Sequence, residues 1–319
     1  MKIPKKISIA NIPTPLQKIN YCGCNFWMKR DDLTGVELSG NKVRKLEYIL
    51  YNAKRKNADY VFTCGGEQSN HARATAISAA GIGLKSKLFL WGTSKKNVDG
   101  NLFLSKMVDP EIKYLSKKEY WSVNEIMNKE RQKYISRGKK VYIIPEGGSS
   151  PLGIWGYINF VKELKEQIGS SKINGILTAA GSGGTAAGLL VGAALYGINL
   201  KIFAVNVLYE KDVIEEKIFS CAEACVKEFK LNVGINRDNL IVMDGYSKEG
   251  YKHITDKKIR LIKNFAKSSG LFFDPAYTGK AFYAFNQNFL AGKKSSGVLF
   301  VHTGGLYGIF PKKKKYLDA

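Results

Sequence analysis

Short β-branched runs alternating with helix-period segments constrain this chain more than any other feature of it. Six runs read as strands: DYVFTC (59–64), KSKLFLW (85–91), KVYIIP (140–145), NGILTAA (174–180), KIFAVNV (201–207) and GVLFVHT (297–303). Between them lie helical patterns such as NHARATAISAAG, PLGIWGYINFVKELKEQIG and GTAAGLLVGAALYG. Pro151 at a first helical position, and Gly81 and Gly197 just past helix ends, punctuate them. Strands alternating with helices build parallel sheets covered on both faces, so the chain is predicted to be α/β.

Four strand ends run into glycine-rich or polar turns that open a helix: TCGGEQSNHAR, IPEGGSSPLG, TAAGSGGTAAG and VHTGGLYG. Ligands of open α/β sheets bind outside the carboxyl ends of the strands, and four such turns exceed what loop building needs. The chain has 319 residues, 45% of them hydrophobic, enough for one large α/β unit or two ordinary domains with a sizeable core. No apolar run reaches membrane-spanning length. The basic start MKIPKKISIANIPTP is broken by Pro4, Asn11, Pro13 and Pro15, so no signal peptide and no membrane partner are expected.

Cys22, Cys24, Cys64, Cys221 and Cys225 fit neither a zinc pattern nor a disulfide framework, so a reduced cytoplasmic protein without a metal is expected. The net charge of +23 is spread along the chain, with one dense run, PKKKKYLDA, at the C-terminus. No nucleic-acid module accompanies it, and a solvated surface is expected rather than a nucleic-acid partner.

AAGSGGTAAG (179–188) follows a strand and opens an alanine-rich helix. Gly181, Gly183 and Gly184 let the backbone approach an anion; Ser182 and Thr185 add hydroxyl donors, and the helix dipole adds a favourable field. A merely structural turn would use the same glycines. A Walker loop is excluded, because no lysine follows Gly184 or Gly188. Residues 181–186 match the G-x-G-x-x-A of dinucleotide sites, but KIFAVNV ends in Asn206 and Val207, with Glu210 displaced beyond. The acid that a ribose needs is missing there, so an NAD-dependent oxidoreductase is the lesser reading. A small phosphorylated cofactor fits better.

LSGNKVRKLEYIL (38–50) is a helix that begins badly. Val43, Leu46 and Leu50 mark one face, and Ser39 or Asn41 is expected to cap the start. Yet Lys42, Arg44 and Lys45 crowd the first turn, where an exposed cation is disfavoured by roughly 0.3–1 kcal/mol. Arg44 is expected to be surface charge. For the lysines, an anion at the helix start, or an amine that is not a free ammonium, resolves the conflict.

Pyridoxal 5′-phosphate asks for such an anion cradle, a Schiff-base lysine and a partner for its pyridine nitrogen. LSGNKVRKLEY, CGGEQSNHAR, PEGGSSPLGIWGY, AAGSGGTAAGL, DPAYTGKA and FVHTGGLYG together resemble segments of the pyridoxal-phosphate enzymes comprising 1-aminocyclopropane-1-carboxylate (ACC) deaminase and D-cysteine desulfhydrase. These belong to the tryptophan-synthase β-chain-like group, fold type II. The resemblance implies two open, twisted, mostly parallel sheets flanked by helices, with the cofactor in a cleft between two domains. A large domain (1–45 plus 151–319), a small one (46–150) and a homodimer are implied with it. By the same resemblance Lys42 carries the cofactor as an imine and shuttles the α-proton, Lys45 lies at the phosphate, and Asn70 bonds the ring hydroxyl. Gly181, Ser182, Gly183, Gly184 and Thr185 form the phosphate loop.

Capping explains Ser69 and Asn70 adequately. The same helix start, with the N–H groups of Asn70 and His71, is also a ready carboxylate site, and the family's serine matching Ser69 lies beside the substrate. His71 itself is expected on the helix surface or behind the site. His253 and His302 give no triad or metal spacing.

In ACC deaminases the positions matching Thr278 and Thr303 resemble glutamate and leucine, whereas the threonine pair resembles the desulfhydrase pattern. A carboxylate beside the pyridine nitrogen keeps it protonated and a deep electron sink, as ring opening needs. A threonine hydroxyl does not enforce that, so expelling a leaving group from Cβ is favoured. Thiolate qualifies, an ordinary thiol having a pKa of roughly 8.5. Both threonines would serve equally as strand-end caps. The expectation is β-elimination of a small amino-acid substrate, D-cysteine, to pyruvate, ammonia and hydrogen sulfide, with ACC deamination or a related D-amino-acid lyase as the alternative. Lys42, Ser69 and Tyr277 form the catalytic set, either Lys42 or Tyr277 being the base. Ser69, Asn70, His71 and Tyr251 contact the substrate, although Tyr251 would also suit the core.

Overall fold

Two sheets organise the computed structural model, which describes residues 3–169, 172–246, 248–251, 253–293 and 296–318. The strands are β1 (Leu16–Tyr21), β2 (Cys24–Lys29), β3 (Tyr60–Gly66), β4 (Lys85–Trp91), β5 (Glu111–Leu115), β6 (Val141–Ile143), β7 (Gly175–Ala180), β8 (Lys201–Asn206), β9 (Leu240–Met243) and β10 (Val298–Val301). The larger sheet runs β1-β2-β10-β7-β8-β9 and the smaller β5-β4-β3-β6. Every pairing is parallel except β1 with β2, which are joined through Cys22 and Gly23, both at positive φ. All six expected strands form, with ends shifted by up to two residues; β1, β2, β5 and β9 were not expected.

The helices that position the site are α1 (Asn41–Arg55), α2 (Asn70–Gly81), α3 (Trp155–Ile168), α4 (Gly184–Leu195) and α5 (Thr278–Phe285). α4 is apolar all round and buried over most of its length, as a helix without a polar face must be. Glycines let its neighbours come close. A Cβ on Gly188 would lie 2.5 Å from Tyr157 Cβ, and one on Gly156 would lie 2.4 Å from the Arg44 carbonyl oxygen, so α3 touches both α4 and α1 at backbone distance. Among the described residues no helix is long and apolar enough to cross a membrane.

Two expectations about α1 are corrected. Its cap is Gly40, at φ 103°, not Ser39 or Asn41. A side chain at position 40 would strike the Thr303 carbonyl oxygen at 2.4 Å; Ser39 turns away to donate to Asp32, and Asn41 reaches Thr185 Oγ1 at 3.0 Å. Nor is Arg44 surface charge, for it is 2% exposed. Its Nε and Nη2 bind the Asp31 carboxylate at 2.9 and 2.8 Å, and Nη1 binds Glu163 at 2.9 Å. Lys29 donates to Glu163 at 2.5 Å, so two buried cations meet two carboxylates. The small sheet is built from residues 60–143, while the expected boundary at 45/46 falls inside α1.

Replacing Asp31 by Ala leaves two buried cations, Arg44 and Lys29, to share Glu163, and the expected cost is about 3–5 kcal/mol of stability. A shift of the urea midpoint at unchanged slope measures it; a loss below about 1 kcal/mol would mean a pair solvated like a surface one.

Candidate active site

The start of α1 faces the carboxyl ends of β7 and β10. Lys42 Nζ lies 3.0 Å from Asn41 Oδ1 and 5.9 Å from the centre of the Tyr277 ring. Burial lowers the Lys42 pKa to about 8, against Asp274 and Glu146, whose charges favour the cation. An amine that sheds its proton near neutrality serves as nucleophile and base, whereas an ordinary lysine at about 10.4 does not.

One turn later, Lys45 is 1% exposed, and burial together with the charge of Lys42 drives its pKa well below the ordinary range. Among the described residues its Nζ finds only Gly147 O at 3.3 Å and Ser149 Oγ at 3.5 Å. The glycine turn after β7 closes around it. Gly183 adopts φ 85°, and a Cβ on Gly184 would lie 2.3 Å from Ser149 Oγ and 3.0 Å from Lys45 Nζ. Ser149 and Ser182 hydroxyls share a hydrogen at 2.8 Å, and the Gly184 N–H donates to Ser149 at 3.1 Å. A desolvated ammonium, clustered hydroxyls and a helix N-terminus that excludes side chains fit a phosphate dianion. The residues present thus suit pyridoxal 5′-phosphate, with Lys45, Ser149, Ser182 and the 183–185 turn at its anionic end.

Ser69 caps α2, accepting from the Ala72 N–H at 3.2 Å, and Asn70 opens the helix with a buried Oδ1 that has no hydrogen-bond partner among the described residues. His71 is buried rather than on the helix surface. Because the Thr63 hydroxyl donates to Ile144 O at 3.0 Å, it must accept from His71 Nε2 at 2.8 Å, which makes Nδ1 the unprotonated nitrogen. Burial, with Lys42 and Lys45 nearby, holds the His71 pKa well below its usual value, so the ring is neutral.

Tyr277 and Tyr251 form an edge-on pair, 5.6 Å between centres, in which the Tyr277 hydroxyl donates to Tyr251 at 3.3 Å. Burial pushes Tyr251 up to about 12, and burial plus its partner push Tyr277 well above the ordinary phenol range, so both are protonated phenols at neutral pH. The Tyr277 ring lies against the glycine turn, 3.0 Å from where a Gly181 Cβ would be, and Tyr251 lies 3.4 Å from the corresponding point on Gly66. Thr303 gives its carbonyl to the Asn41 N–H at 3.2 Å. Thr278 opens α5 and is bonded to Asp274.

Sequence reasoning overlooked four groups. Glu146 is gripped by the Tyr120 hydroxyl at 2.7 Å and the Tyr209 hydroxyl at 2.9 Å. Tyr120 follows β5 of the small sheet and Tyr209 follows β8 of the large one, so this carboxylate joins the two. Asp274, buried behind Thr278, had a usable signal in the Asp-Pro that precedes a helix. Ser149 and Asn41 lay inside quoted motifs, but nothing in their spacing marked them. His253 and His302 stand outside the site's contacts, His302 bonding Phe272 O at 3.0 Å.

A lysine of low proton affinity beside a phosphate cradle defines a class, and the chain belongs to it: the sequence profile of the pyridoxal-phosphate dependent enzymes matches residues 7–304. Among its relatives, a Thermotoga maritima protein provisionally named 1-aminocyclopropane-1-carboxylate deaminase is 39% identical over 97% of this chain and 99% of its own. The mitochondrial bifunctional D-cysteine desulfhydrase/1-aminocyclopropane-1-carboxylate deaminase of Arabidopsis thaliana is 37% identical over 96% of this chain and 79% of its own. The crystal structure of an ACC deaminase homologue superposes with a TM-score of 0.89 at 33% identity, covering 99% of this chain and 96% of that one. The chain is therefore a pyridoxal-phosphate-dependent lyase of the ACC deaminase and D-cysteine desulfhydrase family.

Lys45→Met removes a charge-assisted contact worth about 1.5–3 kcal/mol, so cofactor affinity is expected to fall roughly 10- to 100-fold. The apoprotein should melt no lower, because a buried unpaired ammonium is gone. Fluorescence titration and a thermal melt check the pair; a lower apo melting temperature with unchanged affinity would make Lys45 a packing residue.

Proposed function

We propose that the chain eliminates the β-substituent of D-cysteine, which with one water yields pyruvate, ammonia and hydrogen sulfide. The facing of Lys42, pKa about 8, and the protonated Tyr277–Tyr251 pair carries this reading, because a lyase needs a proton acceptor and a proton donor on one substrate. Pyridoxal 5′-phosphate, when bound, supplies an aldehyde for amines and a ring that accepts electron density from Cα. Lys42 binds it, and after release takes the α-proton on Nζ; Tyr277, holding its own proton, serves as the donor. Ser69 Oγ and the N–H groups at the start of α2 hold the substrate carboxylate, and the unpartnered Asn70 Oδ1 meets the cofactor's ring hydroxyl.

The hydroxyls of Thr278 and Thr303 favour D-cysteine by their likeness to the desulfhydrase pattern. ACC deamination, giving α-ketobutyrate and ammonia, is the second reading, favoured by the names its relatives bear. The four-stranded sheet supports a small domain near residues 46–150, whose first boundary falls within α1. A homodimer accords with the exposed apolar side chains of Val36, Phe103, Met107 and Phe310.

Purified protein is expected to release sulfide from D-cysteine faster than α-ketobutyrate from ACC, and Lys42→Ala to do neither. The reverse ranking would sink the D-cysteine assignment. Since only the unprotonated amine attacks an aldehyde, cofactor loading should accelerate with pH up to about 8 and level off above it. A plateau reached only near pH 10 would show an ordinary lysine.

A further inference from the structure

The start of α5 buries a negative charge whose neighbouring cations are engaged elsewhere once the cofactor is bound. Asp274 is 1% exposed. Its Oδ2 accepts from the Ala276 and Tyr277 N–H groups, both at 2.9 Å, and its Oδ1 from the Thr278 N–H at 2.7 Å and the Thr278 hydroxyl at 2.5 Å. Every partner is a donor, which is the setting of an ionised carboxylate. Burial works against that charge and the four donors support it. Of the cations that its charge favours, Lys280 lies 3.7 Å from Glu249 and Lys42 gives up its charge on binding the cofactor, while His302 is kept neutral by burial. A buried carboxylate without a counter-ion is costly, and such groups persist where a charge arrives to meet them.

The direction of the threonine hydroxyl follows. The Asp274 N–H donates to Thr278 Oγ1 at 2.9 Å and fills one lone pair. The hydroxyl hydrogen goes to the carboxylate at 2.5 Å in preference to Gly304 O at 3.4 Å. What remains on Oγ1 is a lone pair, so toward any further partner Thr278 accepts and does not donate. Gly305 keeps the carboxylate close, since a Cβ there would lie 2.8 Å from Asp274 Cγ.

We propose that Asp274 is a positioning residue that acts through Thr278 to hold the pyridine nitrogen of the bound cofactor in its protonated form. This rests on reading Thr278 as the neighbour of that nitrogen. The ring N–H donates to the free lone pair of Oγ1, and its positive charge is the counter-ion that Asp274 lacks, one hydroxyl away. The threonine then delivers the effect of a carboxylate standing behind it. With this arrangement threonine would leave the ring a deeper electron sink than its hydroxyl alone provides, so the threonine pair supports D-cysteine by its likeness to the desulfhydrase pattern and not through ring electronics.

The test uses holoenzyme carrying pyridoxal 5′-phosphate labelled with ¹⁵N in the ring, without substrate, and free cofactor titrated in the same buffer as calibration. In the unaltered protein the resonance is expected at the protonated position throughout neutral pH. Asp274→Asn keeps a good cap but turns the carboxamide N–H₂ toward Oγ1, so the hydroxyl swings to donate and the resonance should move to the unprotonated position. Thr278→Val should move it likewise, and Thr278→Ser should restore it. An unprotonated ring in the unaltered protein overturns the proposal. So does a shift in Thr278→Val without one in Asp274→Asn, which leaves Thr278 beside the ring but removes Asp274. If neither variant moves the resonance, Thr278 is not beside the nitrogen, and the underlying placement falls as well. None of these outcomes depends on which amino acid the enzyme consumes.

Discussion

Arg44 sets the geometry on which the site depends. With 3.6 residues per turn, Lys42 and Lys45 project about 60° apart on α1, and Arg44 projects roughly 160° away from Lys42. Tied to Asp31 and Glu163, the guanidinium fixes the rotation of the helix about its axis. Gly156 fixes its distance from α3. Only with both set do the two lysines face the glycine turn and the tyrosine pair. A buried ion pair of this kind adds little net stability over an apolar substitute, but it is costly to break, so its work is to specify position.

The electrostatics of the site run in one direction. Lys42 depresses Lys45, and burial depresses both, so the protein holds amines that it would rather see neutral. Asp274 and Glu146 lie on the other side, as anions whose contacts are hydroxyls and backbone N–H groups. A zwitterionic amino acid and a phosphorylated, nitrogenous ring bring complementary charges to both sets. The cost of desolvation is met during folding, before the ligands arrive, which is what preorganisation means for such a site.

Much of this was legible in the sequence. Five of the six expected strands lie inside their sheets and announced themselves through β-branched runs, because a strand buried on both faces has no polar alternation to hide it. β7, buried at every residue, is the clearest. The antiparallel pair at one end of the larger sheet was less visible: LQKINY and CNFWMK carry mixed polarity, and their Cys22–Gly23 turn lacks the usual asparagine signal. At the site, Lys42, Lys45 and the turn from Gly181 to Thr185 were found because glycine spacing and misplaced charge are local signals. Arg44 was misjudged because its partners lie 13 and 119 residues away. The bonding of Thr278 was invisible for a different reason: a residue type says that a hydroxyl is present, not which way its hydrogen points.

The grip of two phenols on Glu146 bears on how substrate enters. Swinging the small sheet away from the large one cannot preserve both hydrogen bonds, since one comes from each side. Giving up one such bond to a charged group costs about 1.5–3 kcal/mol, so this clasp alone adds an increment of that size to the free energy of parting the two sheets, on top of whatever else joins them.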